Sequence, residues 1–214
     1  GAAAVAGLSC PDKALRAWGA MTRRIVIIQG HPDPDPSRYC RALAEAYAQG
    51  AKAAGHEVTM IDLAALDFPL LRKQEDFLHG SMPRELEPAK EAILRAEHLV
   101  FVFPLWLGTM PALLKGFLEQ VMRPGVAFAY GKSGFPETLL KGRSARIIVT
   151  MGMPAFFYRW WFLGHGLRGM RRNILKFVGL GPVRETLFGM IEAVGDEKRR
   201  KWLDQMRRLG GWAT

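Results

Sequence analysis

The chain has 214 residues, 49% of them hydrophobic and 23% charged, which suits one soluble α/β domain with a sizeable core and excludes a disordered or fibrous chain. It has no run of about 18 apolar residues, so no membrane-spanning helix is expected, and its two cysteines, Cys10 and Cys40, are too few for a disulfide framework. That cysteine usage points to a reducing, cytoplasmic compartment. The net charge of +10 would attract nucleic acid, anionic membrane surfaces or phosphate-bearing cofactors. The basic residues are scattered over helices, the run Lys198–Lys201 reads as a solvated helix face, and no zinc-finger, RRM or helix-turn-helix signature is present. Nucleic acid is therefore not expected as a partner; peripheral membrane association stays open.

Residues 1–20 are Ala/Gly-rich and have no charged side chain before Asp12, so they read as an N-terminal extension foreign to the fold. Residues 21–214 read as a single domain. Arg23–Gln29 is a short β-branched run bounded by Gly30 and Pro32, as in a buried parallel strand. Ser37 opens a helix to about Ala54, and Gly55 ends it. His56–Leu63 is a second strand, 64–83 a loop punctuated by Pro69, Gly80 and Pro83, and Glu85–Glu97 a helix. Leu99–Pro104 is a third strand, and Pro111 suits the first turn of a helix to about Met122. After a Gly/Pro-containing stretch from Pro124 to Gly142 come a fourth strand, Ala145–Met151, and an aromatic segment, Phe156–Leu163. A helix from Leu167 to Val178, a fifth strand, Pro182–Phe188, and a last helix, Asp196–Leu209, complete the chain. Five alternations of strand and helix predict a doubly wound parallel sheet with helices on both faces, in the order 2-1-3-4-5.

Ligands on such sheets bind beyond the carboxyl ends of the strands. The loop after strand one, Gly30–Arg38, leads into a helix N-terminus, where backbone amides and the dipole attract phosphate. His31, Ser37 and Arg38 are its candidate contacts; the plainer reading is a Pro-rich turn with Ser37 as an N-cap. Neither a G-x-G-x-x-G fingerprint nor a Walker A pattern is present. The loop after strand three, Phe103–Pro111, offers flat and apolar side chains beside Gly108, which suits a flavin ring; a packed loop with Trp106 in the core is the alternative. The loop after strand four, Thr150–Pro154, can offer amides from Thr150 and Gly152 to the flavin's pyrimidine edge. Tyr158 and His165 are polar groups in an otherwise apolar stretch. Trp160, Trp161 and Phe162 fit an acceptor pocket, or dimer-interface or core packing, and Cys40 is either a reactive thiol or a small buried residue.

Taken together, Gly30-His31-Pro32-Asp33, Phe103-Pro104-Leu105-Trp106, Met110 to Gly116 and Phe128-Ala129-Tyr130-Gly131 resemble the NAD(P)H:quinone oxidoreductases, DT-diaphorase-like flavoproteins of flavodoxin-like fold. The match runs from about Arg24 to Arg208. The resemblance implies FMN or FAD, with NADPH or NADH as electron donor and a quinone-like acceptor. His31 and the loop through Ser37, Arg38 and Tyr39 would hold the flavin phosphate. Pro104, Leu105, Trp106, Leu107 and Gly108 would line the ring, and Thr150, Met151, Gly152 and Met153 would meet its pyrimidine end. Tyr158 and His165 would assist hydride transfer. A homodimer with active sites at the interface is also implied. The chain departs from the family pattern at Pro36, which has no amide to donate, at Leu107 and Gly108, and at Met151 and Met153. Two other readings belong to different classes: a flavin-binding regulatory subunit of a membrane transporter such as potassium efflux, or an electron-shuttle flavodoxin.

Overall fold

The computed structural model describes residues 22–130 and 136–214; the expectation for residues 1–20, and Gly131 of the last motif, lie outside the described residues. The strands are β1 (Arg24–Gln29), β2 (Glu57–Asp62), β3 (His98–Pro104), β4 (Phe128–Tyr130), β5 (Pro136–Thr138), β6 (Ser144–Thr150) and β7 (Val183–Phe188). Five of them form one parallel sheet in the order β2-β1-β3-β6-β7. This is the expected 2-1-3-4-5 order, with an antiparallel hairpin, β4–β5, inserted in what reads from sequence as a Gly/Pro connection.

The helices are α1 (Tyr39–Ala53), α2 (Gln74–Leu78), α3 (Glu87–Arg95), α4 (Ala112–Val121), α5 (Ala155–Trp160), α6 (His165–Gly169) and α7 (Asp196–Gly211), with a π-helical turn at Met170–Leu175. Every residue of β3 and β6 is buried, as expected of central strands covered on both faces. Because side chains alternate along a strand, β1 feeds two cores. Val26 and Ile28 join Leu114 and Phe117 of α4 on one side. Ile25 and Ile27 join Leu43 and Tyr47 of α1 and Met206 of α7 on the other.

Several elements differ from the sequence reading: the aromatic segment contains α5, and the helix expected over Leu167–Val178 is α6, from His165, followed by the π-helical turn. The first helix starts at Tyr39, not Ser37, because Asp33 Oδ1 accepts the Asp35 amide (2.9 Å) and Asp35 Oδ1 accepts the Ser37 amide (2.9 Å). These successive Asx turns keep the loop out of helical geometry. The stretch 64–83 contains the short α2, whose ends carry no side-chain cap.

Helices α1 and α7 touch through their backbones. A Cβ on Gly50 would lie 1.8 Å from the Arg207 carbonyl oxygen, and one on Gly210 2.0 Å from that of Tyr47. At the amino end of the sheet, fully buried His98 joins Ser144 Oγ (2.7 Å) and the Tyr47 hydroxyl (3.0 Å), and that hydroxyl donates to the Thr214 carbonyl (3.3 Å). One assignment satisfies the chain: Ser144 donates to Nδ1, and Nε2–H donates to Tyr47. Burial, reinforced by Arg146, Arg23 and Arg184, pushes the His98 imidazole down to about 3.

Gly210→Ala gains about 0.5–1 kcal/mol of helix propensity. The backbone clash outweighs it, so a net loss of about 1–3 kcal/mol is expected in chemical denaturation; a stabilised variant would contradict the close helix contact. His98 binds its proton more weakly folded than unfolded. Its contribution is therefore complete above the unfolded value of about 6.5 and lost as pH falls toward about 3, by up to about 1.4 kcal/mol per pH unit. His31 is shifted in the same direction. Denaturation midpoints measured at stepwise lower pH should fall over that range, and His98→Gln should flatten the fall.

Candidate functional site

At the carboxyl edge of the sheet the loops after β1, β3, β6 and β7 converge on a cavity of about 550 Å³. Of the residues singled out in the sequence, His31, Ser37, Arg38, Tyr39, Pro104, Leu105, Trp106, Thr150, Met151 and Gly152 line it. A second cavity of about 700 Å³ adjoins it, and Trp106 lines both. Leu107 and His165 line the second cavity; Gly108, Met153 and Tyr158 line neither.

The first cavity begins at the N-terminus of α1. Its Ncap, Arg38, makes no side-chain cap, and its first turn carries no acid, so the leading amides lack side-chain acceptors. The acids of the preceding loop are already engaged. Asp33 Oδ2 accepts Arg38 Nε (2.8 Å) and pairs with Nη2 (2.6 Å), and the Asx turns use the facing oxygens of Asp33 and Asp35. Those bonds hold both carboxyls below their ordinary values, the amide of Asp35 acting first on Asp33 and that of Ser37 on Asp35. His31 Nδ1 accepts the Asp33 amide (3.0 Å), which leaves Nε2–H as its donor. Desolvation is the largest influence on His31 and lowers its value, favouring the neutral ring.

Arg199, from α7, completes this end. Its Nη2 donates to the Ile191 carbonyl (2.7 Å), its guanidinium sits 5.7 Å from the Tyr39 ring centroid, and its buried Nε has no partner. A buried guanidinium N–H without an acceptor beside an uncapped helix N-terminus is a fit for an anionic group. Arg199 escaped the sequence reading because it belongs to the basic run Lys198–Lys201, where nothing distinguishes it from its solvated neighbours. Ile191 and Glu192, which also line the cavity, follow β7, a strand end that the sequence reading left out.

The wall of the cavity is Pro104, Leu105 and Trp106, whose indole meets the His31 ring edge-on at 6.0 Å. Beyond it the chain makes a two-residue hairpin turn. Trp106 and Thr109 exchange amide–carbonyl bonds of 2.9 and 3.0 Å, and Leu107 (φ 47°) and Gly108 (φ 79°) are both left-handed. Glycine adopts that conformation freely and leucine does not. The Leu107 side chain therefore stands wholly in solvent at the rim of the second cavity.

Tyr158 is 1% exposed and lies behind this turn. Its hydroxyl donates to the Gly108 carbonyl (3.0 Å) and accepts the Leu167 amide (3.2 Å). Burial is the main influence raising its value. Close packing reinforces the clasp: a Cβ on Gly166 would sit 2.2 Å from the Gly108 oxygen. His165, the first residue of α6, is exposed and faces the second cavity with Asn173 and Ile174 of the π-helical turn, an irregularity common at functional sites. Trp161 and Phe162 line neither cavity, and Trp160 lines a separate groove with Arg168. Cys40 is the small buried residue: its Sγ lies 3.0 Å from Thr150 Oγ1, and burial pushes the thiol up to about 12. Among the described residues no His/Cys/Asp/Glu group is arranged to hold a metal, and no helix is long and apolar enough to cross a membrane.

The chain is 28% identical over 183 residues to a Haemophilus influenzae protein named as an uncharacterized NAD(P)H oxidoreductase, covering 84% of this chain and 90% of that one. It is 28% identical over 170 residues to an FMN-dependent NADH:quinone oxidoreductase of Ruegeria pomeroyi, covering 66% and 82%. A crystal structure of a Streptococcus mutans protein superposes with a TM-score of 0.72 at 29% identity, covering 87% of this chain and 98% of that one. A family model described as flavodoxin-like fold matches residues 23–209. The chain belongs to the flavodoxin-like fold family.

Proposed function

We propose that this protein is an FMN-dependent NAD(P)H:acceptor oxidoreductase that passes two electrons to a quinone-like acceptor. The observation that carries the reading is the pair of cavities joined at Trp106, one with an anion cradle at its end and the other largely apolar. The names of the relatives agree with it. FMN, when bound, supplies reversible two-electron hydride chemistry.

The residues divide that work. The first-turn amides of α1, Arg38 and Arg199 hold the phosphate, and His31 Nε2–H adds a neutral donor. Pro104, Leu105 and Trp106 give the ring an apolar wall, and Thr150, Met151 and Gly152 border its pyrimidine end. Gly108 and Met153 support these walls from outside the first cavity, and Leu107 stands at the rim of the second. Nicotinamide and acceptor take turns in the second cavity, where exclusion of water and alignment lower the barrier. His165 stands there as the group that can hold or release a proton as the acceptor gains charge. Tyr158 acts by position, because both hydrogen-bonding functions of its hydroxyl are engaged in clasping the 106–109 turn to α6. A homodimer, with a second copy closing the cavity at the Leu107 rim, completes the reading.

FMN-loaded, desalted protein should lose its long-wavelength flavin absorbance on anaerobic addition of NADH or NADPH and regain it with a quinone. Retained flavin that never bleaches would replace the enzyme with a shuttle or regulatory subunit. His165→Ala should keep flavin bound and slow reoxidation by the acceptor about 100-fold or more; an unchanged rate in both half-reactions would remove His165 from the mechanism. Tyr158→Phe leaves the buried Leu167 amide and the half-buried Gly108 carbonyl without this partner, at a cost of about 1–3 kcal/mol. It should raise the acceptor KM more than it lowers kcat and leave the pH profile in place; loss of one limb of that profile would make Tyr158 a proton donor instead.

A further inference from the structure

The segment after β6 presents an apolar surface that the core does not use. Tyr158 is the only buried residue of α5; Phe156, Trp160 and Trp161 are 68%, 82% and 74% exposed, and Phe157, Phe162 and Leu163 are exposed as well. The rings are organised among themselves. Phe157 stacks on Trp161 (centroids 5.9 Å apart, 6° between planes) and meets Phe162 edge-on at 5.7 Å. Left-handed Leu163 (φ 50°) and Gly164 (φ 58°) turn the chain from α5 into α6, which makes the aromatic run a corner of the molecule. Contiguous apolar exposure on this scale marks an interaction site.

The charge around it is one-sided. Residues 155–176 contain five basic side chains and no acidic one. Beside the aromatic ridge runs a groove of about 430 Å³, where Arg159, Arg168 and Arg171 stand next to Trp160 and Leu163. One carboxylate enters it: Glu185 of β7 pairs with Arg159 (3.3 Å) and Arg171 (3.2 Å). Arg168 has no ion pair among the described residues.

We propose that this ridge and groove dock the protein on an anionic lipid bilayer, the aromatic side chains entering the headgroup–acyl boundary and the guanidiniums receiving lipid phosphate. Tryptophan, phenylalanine and leucine beside arginine are the composition of an interfacial anchor, and guanidinium is matched to phosphate. A second copy of this chain suits the surface less well, since ridge packed on ridge by a two-fold axis would bring two arginine grooves together. His165 follows the ridge directly, so docking sets the start of α6 near the lipid surface.

The test is sedimentation of the full chain with vesicles of phosphatidylcholine alone or mixed with phosphatidylglycerol, and with phosphatidylglycerol carrying brominated acyl chains. Binding should require phosphatidylglycerol, weaken with salt, and be accompanied by quenching of tryptophan emission by the brominated chains. Trp160→Ser combined with Trp161→Ser should lower partitioning about ten-fold or more and remove most of the quenching, and Arg168→Gln should weaken binding with quenching retained. Three results overturn the proposal. One is no binding of the unaltered protein to anionic vesicles. Another is binding without quenching, which reduces it to adhesion of a protein of charge +10. The third is a dimer that the tryptophan variant converts to monomer, which assigns the ridge to a second copy.

Discussion

The structure depends on the point where the sheet reverses its order. β1 has β2 on one side and β3 on the other. The chain leaving β1 returns as α1 over one face, while the chain leaving β3 returns as α4 over the other. The two connections diverge at the carboxyl ends of adjacent strands, so the backbone itself opens a crevice there. Everything placed at the site follows from that divergence: the α1 N-terminus on one lip, the Pro104–Trp106 wall on the other, and the loop after β6 across the floor.

The crevice acquires its chemistry by subtraction. The Gly30–Arg38 loop carries Asp33 and Asp35 beside the N-terminus of α1, where by Coulomb's law alone they would repel an anion. Both carboxylates hold loop amides, and Asp33 also takes Arg38. Their work is to shape the loop and delay the helix to Tyr39. The cavity end then gathers donors, the uncapped amides, His31 Nε2–H and the Arg199 guanidinium, with Glu192 on the same lining. The second cavity is built differently, from a strained hairpin turn held against α6 by Tyr158 and Gly166. The two cavities thus differ in kind, one ending at a helix N-terminus and the other at a clasped apolar turn.

The sheet was legible in the sequence because each buried strand is a compact apolar run bounded by Gly or Pro, and the order 2-1-3-4-5 holds. The hairpin β4–β5 was not, since three-residue strands carry too few side chains to show an alternation. Ten of the residues that line the first cavity were legible through their places after strands. Arg199 and Glu192 were not, because they reach the cavity from beyond β7 and only tertiary packing brings them there. Leu107 read as a wall residue because spacing alone does not reveal a left-handed turn. Tyr158 and His165 sit close in sequence, yet the turn at Leu163 and Gly164 buries one and exposes the other.

The central claim is that the α1 terminus and Arg199 recognise the phosphate of a flavin. Titration of the protein with FMN and with riboflavin, which differ only by that phosphate, tests it most directly. FMN should bind about 100-fold more tightly or better, with the advantage shrinking as salt rises and in Arg199→Gln, since charge-assisted contacts are worth about 1.5–3 kcal/mol each. Equal affinity for the two ligands would contradict the account and leave the crevice without its anion.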